Sequence, residues 1–437
     1  QLQYGADAGI LIPLNDLIAK YGIEFKRMAQ EVDYIEPAVT SPDGNIYALP
    51  QVNECYHCMT SQKLWINRFW LENLRLEMPK TTDEFYETLK AFRDNDPNGN
   101  GIQDEVPLSG ATTSWHTNLD GYLMNAFTYN DSQDSNGRLM LDENGKVWAP
   151  YITDEWREGL RWINKLYDEG LIDPAGFTQI REDLQTVVET PDKDVIGAFT
   201  AGWFGVFTSL EGEAMKRWDA LPPLKGPSGF QSTGYYPYSF SNGQFAITDR
   251  CENPDVAYRW ADDLYTLENA LMYIEAGRKG IEWDDADEGQ LDLEGKPARW
   301  KRLETTYKYG EIQNVHYYQM GPSWRSAAYR RSWMAPQDAY SSNGYEKRLF
   351  DQSQWYEPFA PSWKLVYPPT FPVAEDVDEV ATLKTDVNDY IKESTARFIT
   401  GDLDIEKDWD TYLKNFENLG LSRFVELMQK AYDAQYK

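Results

Sequence analysis

The sequence predicts an α/β protein of two or three domains, and three observations carry that prediction. Its 437 residues exceed what one hydrophobic core usually serves, at roughly 100–200 residues per domain. Short apolar runs bounded by glycine or charge alternate with stretches of helical period, the pattern of layered strands and helices. Between residues 221 and 241 the text LPPLKGPSGFQSTGYYPYSFS has no period and too many rings for a plain linker, so it reads as a crossing between domains.

In chain order, Ile46 to Pro50 reads as a strand, followed by Cys55-Tyr56-His57-Cys58. Thr81 and Glu84 stand at capping-box spacing and open a helix running to about Phe92. Asp154 can cap a helix whose Trp156, Leu160, Ile163 and Tyr167 share a face, with Gly170 as its stop. Val195 to Thr200 and Gly243 to Thr248 have the form of buried strands. Asn253-Pro254 is a cap with proline at the first helical position, leading a helix with Val256, Trp260 and Leu264 on one face. Val380, Leu383, Val387 and Ile391 form a helical stripe running into Phe398, and further helices are expected over Ile405–Phe416 and Leu421–Tyr436. No repeat of 20–50 residues is visible, which excludes a solenoid.

Composition narrows the function. Lys and Arg total 42 against 71 Asp and Glu, a net charge of −29 that opposes nucleic acid and anionic bilayers. No apolar run approaches the roughly 20 residues of a membrane-spanning helix. Three cysteines, Cys55, Cys58 and Cys251, cannot form a disulfide framework and are compatible with a reducing or an extracytoplasmic compartment. The chain starts at Gln1 without a Met or a signal peptide and reads as a processed or trimmed product.

Asp96-Pro97-Asn98-Gly99-Asn100-Gly101-Ile102-Gln103-Asp104-Glu105 places oxygen side chains at relative positions one, three and five, with glycine at six. Coiling converges those side chains on one point, and the Ile102 carbonyl, Asp104 and Glu105 complete a shell of hard oxygens suited to structural Ca2+. The loop departs from an EF-hand because its twelfth position is Pro107, and an ion-free Asn/Gly turn is the alternative. The CxxC spacing at Cys55 and Cys58 lacks a second ligand pair, so incidental or buried thiols are expected there rather than zinc or redox chemistry. His57, His116 and His316 are scattered without a nucleophilic-triad order, which disfavours a histidine-dependent hydrolase. Glu282, Asp284 and Asp285 are the first suspects for a glycosidase pair. No phosphate-cradling glycine signature is present.

Aromatic residues number 16 Trp, 29 Tyr and 18 Phe. Trp115, Trp203, Tyr235, Tyr236, Tyr238, Trp283, Trp324 and Trp333 lie in loop-like text beside polar residues, and flat rings stack on sugar C–H faces while such neighbours bond hydroxyls. A carbohydrate cleft is the functional expectation, with core packing the alternative for any one ring.

Several segments together resemble the extracellular solute-binding proteins of family 1, the oligosaccharide-binding components of bacterial ABC importers. They are IPLNDLI (12–18), DGNIYALP (43–50), LWINRFWLENL (64–74), MPKTTDEFYETLKAFRDNDPNGNGIQDEVPLS (78–109), LPPLKGPSG (221–229), NPDVAYRWADDLYT (253–266) and FITGDLDIEKDWDTYLKNFENLGL (398–421). The DPNGNG loop is similar to the calcium loop of the alginate-binding members, with Asp96, Asn98, Asn100, Ile102, Asp104 and Glu105 at the matching positions. The resemblance implies a two-lobed, type II periplasmic-binding-protein-like α/β fold with a hinge and an interlobe cleft. Residues 1–109 and 243–335 are expected to form one lobe and 110–242 and 336–437 the other, with Leu108 to Ala111 as a second hinge. Family chains carry several tens of residues before the counterpart of PLNDLI, where only about ten stand here, so the first strands of that lobe are expected to be missing or rebuilt.

The expected function is therefore capture of an oligosaccharide outside the cytoplasm, by a monomer held by an N-terminal lipid, for delivery to a membrane permease. Trp115, Trp203, Tyr236, Trp283, Trp324 and Trp333 are the expected ring contacts, and Glu54 and Arg325 the polar ones. Arg325, Arg330 and Arg331 could match an anionic sugar, though the net charge favours neutral glycans. A calcium-containing glycosidase or lyase is the rival, and a peptide-binding importer component a third reading.

Overall fold

A computed structural model of the chain describes residues 2–190, 194–275, 277–303 and 321–437. His316 lies outside the described residues. Two three-stranded sheets organise the fold. Their strands are β1 (Leu49–Asn53), β2 (Lys63–Asn67), β3 (Ala198–Ala201), β4 (Trp218–Leu221), β5 (Phe240–Phe245) and β6 (Ser323–Arg325). In the first sheet β1 lies between β6, parallel with Val52 opposite Trp324, and β5, antiparallel with Val52 opposite Phe240. In the second, β2 lies between β3 and β4, antiparallel to both, with Leu64 facing Thr200 and Leu221.

Each sheet has its own core. Leu14, Phe25, Met28, Ile35, Leu49, Val52, Ile247, Tyr258, Tyr265 and Trp324 pack around the first. A larger core gathers Trp65, Trp70, Phe85, Trp156, Phe199, Trp218 and Leu221 with Tyr356, Val387, Phe398, Tyr412 and Phe424. A third cluster of Leu271, Trp283, Trp300 and Tyr329, with Trp333 against it, lies between β5 and the C-terminal helices in sequence.

The helices that frame these cores are α1 (Thr82–Asp94), α2 (Asp154–Asp168), α3 (Pro254–Asp263), α4 (Val377–Thr400), α5 (Trp409–Asn418) and α6 (Leu421–Tyr436). The α1 capping box forms as expected: the Glu84 amide donates to Thr81 Oγ1 at 3.1 Å, and the Glu84 carboxylate takes the Thr81 amide at 3.2 Å. Thr153, not Asp154, caps α2 by accepting the Trp156 amide at 3.3 Å; Asp154 is the first helical residue, where its charge faces the positive helix end.

On α3, of the expected face Val256, Trp260 and Leu264, only Leu264 is buried, at 4% exposed. Val256 and Trp260 are 58% and 52% exposed, while Tyr258, Ala261 and Asp262 are buried. Asp262 decides the rotation, because its carboxylate accepts the amides of Ile23, Glu24 and Phe25 at 2.9–3.0 Å, capping the helix Glu24–Glu31.

The passages between cores also differ from expectation. The 221–241 stretch does run from Leu221 and Leu224 in the larger core to Phe240 against the smaller one. Residues 63–94, however, expected in the first lobe, belong to the larger core through β2, Trp70, Phe85, Leu89 and Phe92. Leu108 and Ala111 lie inside that same core, and Leu108 and Ser109 bridge Ile172 and Phe199. The first passage is therefore residues 54–62, between β1 and β2. The chain passes from Trp333, against the third cluster, directly to Ala335 in the larger core, which Tyr345 and Leu349 then continue.

Candidate functional site

Aromatic side chains from the larger core's edge meet side chains from these passages. Trp115 and His116 follow Ala111, Trp203 follows β3, His57 sits on residues 54–62, and Tyr236 on the 221–241 passage. His57 meets Trp115 edge-on at 6.0 Å between centroids, Trp115 adjoins His116 at 5.6 Å, and His116 stacks on Tyr236 at 5.0 Å. Trp203 lies 5.6 Å from Tyr345. Trp115 is 36% exposed, so part of its ring is open to solvent. Its ring rests on Gly202, where an added Cβ would stand 2.3 Å from it, so only glycine admits this ring position.

Polar groups beneath the rings are firmly held. The Tyr236 hydroxyl donates to the Asp131 carbonyl, Gln62 Nε2 donates to the same carbonyl at 3.0 Å, and the Tyr236 amide donates to the Met59 carbonyl at 2.8 Å. Lys63, fully buried, donates from Nζ to the His57 carbonyl at 3.1 Å and to the Thr60 carbonyl, and lies over the Tyr356 ring. Burial pushes its ammonium down to about 7, while the carbonyls it bonds favour the charged form. Burial, with the Lys63 charge nearby, takes His116 down to about 3; burial, then Arg330 and Lys63, holds His57 well below its ordinary value. Both imidazoles are thus neutral at physiological pH. Burial raises the Asp131 carboxyl to about 6.

The remaining expected contacts lie elsewhere. Trp283 is 5% exposed, donates Nε1 to the Gly277 carbonyl at 2.7 Å, and packs in the third cluster with Trp300 and Tyr329. Trp333 abuts the same cluster, with the Arg302 guanidinium 4.7 Å over its ring. Trp324 is 8% exposed, with Arg27 over its ring and Nε1 on the Glu54 carboxylate at 3.2 Å. A sugar platform needs an open ring face; the rings of Trp283 and Trp324 are taken up by packing, and Trp333 is half-buried. Glu54 also accepts the Ala327 amide at 3.1 Å, and Arg325 is 1% exposed within β6. Arg330 donates to Asn53 Oδ1 at 3.0 Å and lies over Tyr56, and Arg331 pairs with Glu294 at 3.3 Å. The sequence brings up His57 and His116 only as catalytic candidates and does not single out Gln62, Lys63 or Asp131; His116 beside Trp115 in TTSWHTN was the available signal for a binding role.

Cys55 and Cys58 form a disulfide, which corrects the expectation of incidental thiols. Their sulfurs and a His57 nitrogen are the one group of three or more His, Cys, Asp or Glu ligand atoms within 4.8 Å of one another among the described residues. With the sulfurs bonded to each other, no thiolate is left for zinc.

The acidic loop is tightly coiled. Asp96 takes the Asn100 and Gly101 amides at 3.1 and 3.0 Å, Asn98 Oδ1 takes the Asn100 amide at 3.0 Å, and Asn100 Oδ1 takes the Ile102 amide at 2.6 Å. The Asn98 and Asn100 side-chain amides both reach Asp104 Oδ1, at 3.4 and 3.0 Å. Glu105 points two buried carboxylate oxygens without hydrogen-bond partners at this neighbourhood. Its pKa is raised by burial first and then by the Asp104 and Asp96 charges. Gly99 and Gly101 supply the left-handed turns, at φ 71° and 74°. An orphaned Glu105 carboxylate, repelled by the Asp104 and Asp96 charges, fits a bound hard cation.

No family model matches the chain. The fructooligosaccharide ABC transporter substrate-binding protein FusA of Streptococcus pneumoniae serotype 4 is 30% identical over 441 aligned residues, covering 99% of this chain and 77% of that protein. The solved structure of FusA with kestose matches at a TM-score of 0.76 and 28% identity, over 99% of this chain and 84% of that one. A FusA EF-hand mutant with fructo-nystose gives 0.75 at 28% identity and the same coverage. The alginate-binding protein AlgQ2, solved without calcium, shares the fold at 0.68 and 23% identity, over 99% of this chain and 83% of that one. Among the described residues no helix is long and apolar enough to cross a membrane.

Proposed function

The chain belongs to the family 1 solute-binding proteins, the substrate-binding components of ABC transporters, and from that premise we propose that it captures a neutral oligosaccharide for delivery to a membrane permease. The carrying observation is the cluster of His57, Trp115, His116 and Tyr236, drawn from the larger core's edge and two interlobe passages. Trp115 offers the stacking face, Trp203 and Tyr236 extend it, and the neutral imidazoles of His57 and His116 pack against these rings without adding charge. A net charge of −29 repels polyuronates. FusA's fructooligosaccharides make fructans the first ligands to try. The relative being a binding protein, not an enzyme, removes the support for a glycosidase or lyase.

Calorimetric titration with kestose and with an oligogalacturonate, each mixture then chromatographed, tests this reading. Saturable binding of kestose, recovered intact, supports it; shortened products or preference for the uronate overturn it. Trp115→Ala should weaken binding about tenfold, the loss of a stacked ring worth roughly 1–1.5 kcal/mol.

The loop's orphaned Glu105 carboxylate supports a structural Ca2+ held by Asp96, Asn98, Asn100, the Ile102 carbonyl, Asp104 and Glu105. The ion would neutralise the gathered acids and fix the turn that leads out of α1. The Cys55–Cys58 disulfide supports a location outside the reducing cytoplasm, where a lipid anchor would keep the protein beside its permease.

A further inference from the structure

We propose that the Cys55–Cys58 disulfide is the positioning element of the binding site, setting ligand affinity through His57 and the passage it staples. The inference rests on the binding-protein reading above but goes beyond it, since a binding protein does not require a covalent staple.

The bond closes a turn at the point where the chain leaves β1. The Cys58 and Met59 amides both donate to the Cys55 carbonyl, at 3.0 and 3.2 Å, so the backbone already coils here and the disulfide locks that coil. Every side of the turn is tied to another element. Before it, Asn53 Oδ1 accepts from Arg330 at 3.0 Å. Within it, the Tyr56 hydroxyl donates to the Glu346 carboxylate, and its ring meets Phe350 edge-on at 5.3 Å. After it, the Met59 carbonyl accepts the Tyr236 amide at 2.8 Å, fastening the turn to the 221–241 passage. From beneath, Lys63 grips the His57 and Thr60 carbonyls.

His57 lies between the two sulfurs in sequence, with Nε2 3.9 Å from Cys58 Sγ and its ring against Trp115. Its Nδ1 is buried without a hydrogen-bond partner, so the polar contact of the ring is the one its Nε2 makes with Cys58 Sγ, and the turn carrying it sets the rest of its placement. Opening the disulfide removes the covalent limit on that turn, while β1 and β2 on either side of it stay paired in their sheets. His57 then loses its fixed approach to Trp115, and Tyr236 its fixed carbonyl.

The opening step uses an external dithiol. One of its thiolates attacks a sulfur of the pair and releases the other as a thiolate; its second thiol then displaces the mixed disulfide. Two electrons and two protons pass to Cys55 and Cys58, and the reagent leaves as a cyclic disulfide.

The test uses the full chain in a Cys251→Ser background, oxidised, reduced with dithiothreitol, and reoxidised, with thiol counts fixing each state. Kestose titration should show affinity reduced about tenfold on reduction and restored on reoxidation. His57→Ala in the oxidised protein should lose a similar factor, and its reduction should then cost little more, a non-additivity that a general loosening of the fold does not give. Amide hydrogen exchange without ligand gives a second readout: reduction should speed exchange at Tyr236 while Leu64 to Ile66 in β2 stay protected. Unchanged exchange at Tyr236 overturns the proposal even for a protein that does not bind kestose. Equal affinity in both redox states overturns it as well. Failure of the oxidised protein to bind kestose counts against the ligand reading alone.

Discussion

Asp131 shows how a buried ionisable group makes the site's stability depend on pH. Its carboxyl is raised from 3.8 to about 6, chiefly by burial, so the folded chain binds a proton more tightly than the unfolded one. Between those values the fold holds the extra proton, and stability falls as pH rises through the window; above 6 the full cost of a buried carboxylate is present. Asp131→Asn keeps an oxygen for the Gln133 amide, which Asp131 Oδ1 now accepts at 2.9 Å. The variant should gain about 1–3 kcal/mol at pH 7.5, seen as a higher melting temperature, with the gain shrinking toward pH 4. Equal melting of both proteins at both pH values would show that the carboxylate is not strained. Residue identity was legible where the signal was local, as with Thr81 and Glu84 or the exposed ring of Trp115. It was illegible for Asp131, Lys63 and Gln62, whose roles come from burial beside partners distant in sequence.

At the scale of elements, the tight coil of the acidic loop was readable because Asp, Asn and Gly at fixed spacing are a local pattern. Its electrostatics make a sharp prediction. Glu105 is strained by burial and by the Asp104 and Asp96 charges, so a cation should relieve it. Chelation with EDTA should lower the melting temperature by several degrees, as expected when a tightly bound ion is removed. Glu105→Gln should reverse that order: in EDTA it should melt no lower than the parent, because a repelled carboxylate is gone, yet it should gain less from added Ca2+. A parent that melts identically with EDTA and with Ca2+ would remove the ion from the account. The face of α3 was not readable. Periodicity offered Val256 and Trp260, but Asp262 must reach the amides of Ile23, Glu24 and Phe25, and a capping partner some 240 residues away leaves no trace in a local pattern.

The division of the whole molecule was legible in outline and misplaced in detail for the same reason. A strand's own sequence says that it is buried but not which sheet it joins, and β2 pairs with β3 and β4 far along the chain. The passages that result are tied to one another rather than separate. Tyr236 bonds Met59, Tyr56 bonds Glu346, and Gly234 lies so close to Gln62 that an added Cβ would stand 2.9 Å from its Cγ. Two passages packed this way should bend together, so closing about a ligand requires Gly234 and Gln62 to keep their contact. Gly234→Val would wedge the first passage from the second at a cost of about 1–3 kcal/mol, the usual penalty of overpacking. Small-angle X-ray scattering should show the parent contracting when saturated with kestose, because closure brings two cores together. The Gly234→Val protein should contract less and bind more weakly. If it closes and binds like the parent, the passages move independently and the coupled hinge is wrong.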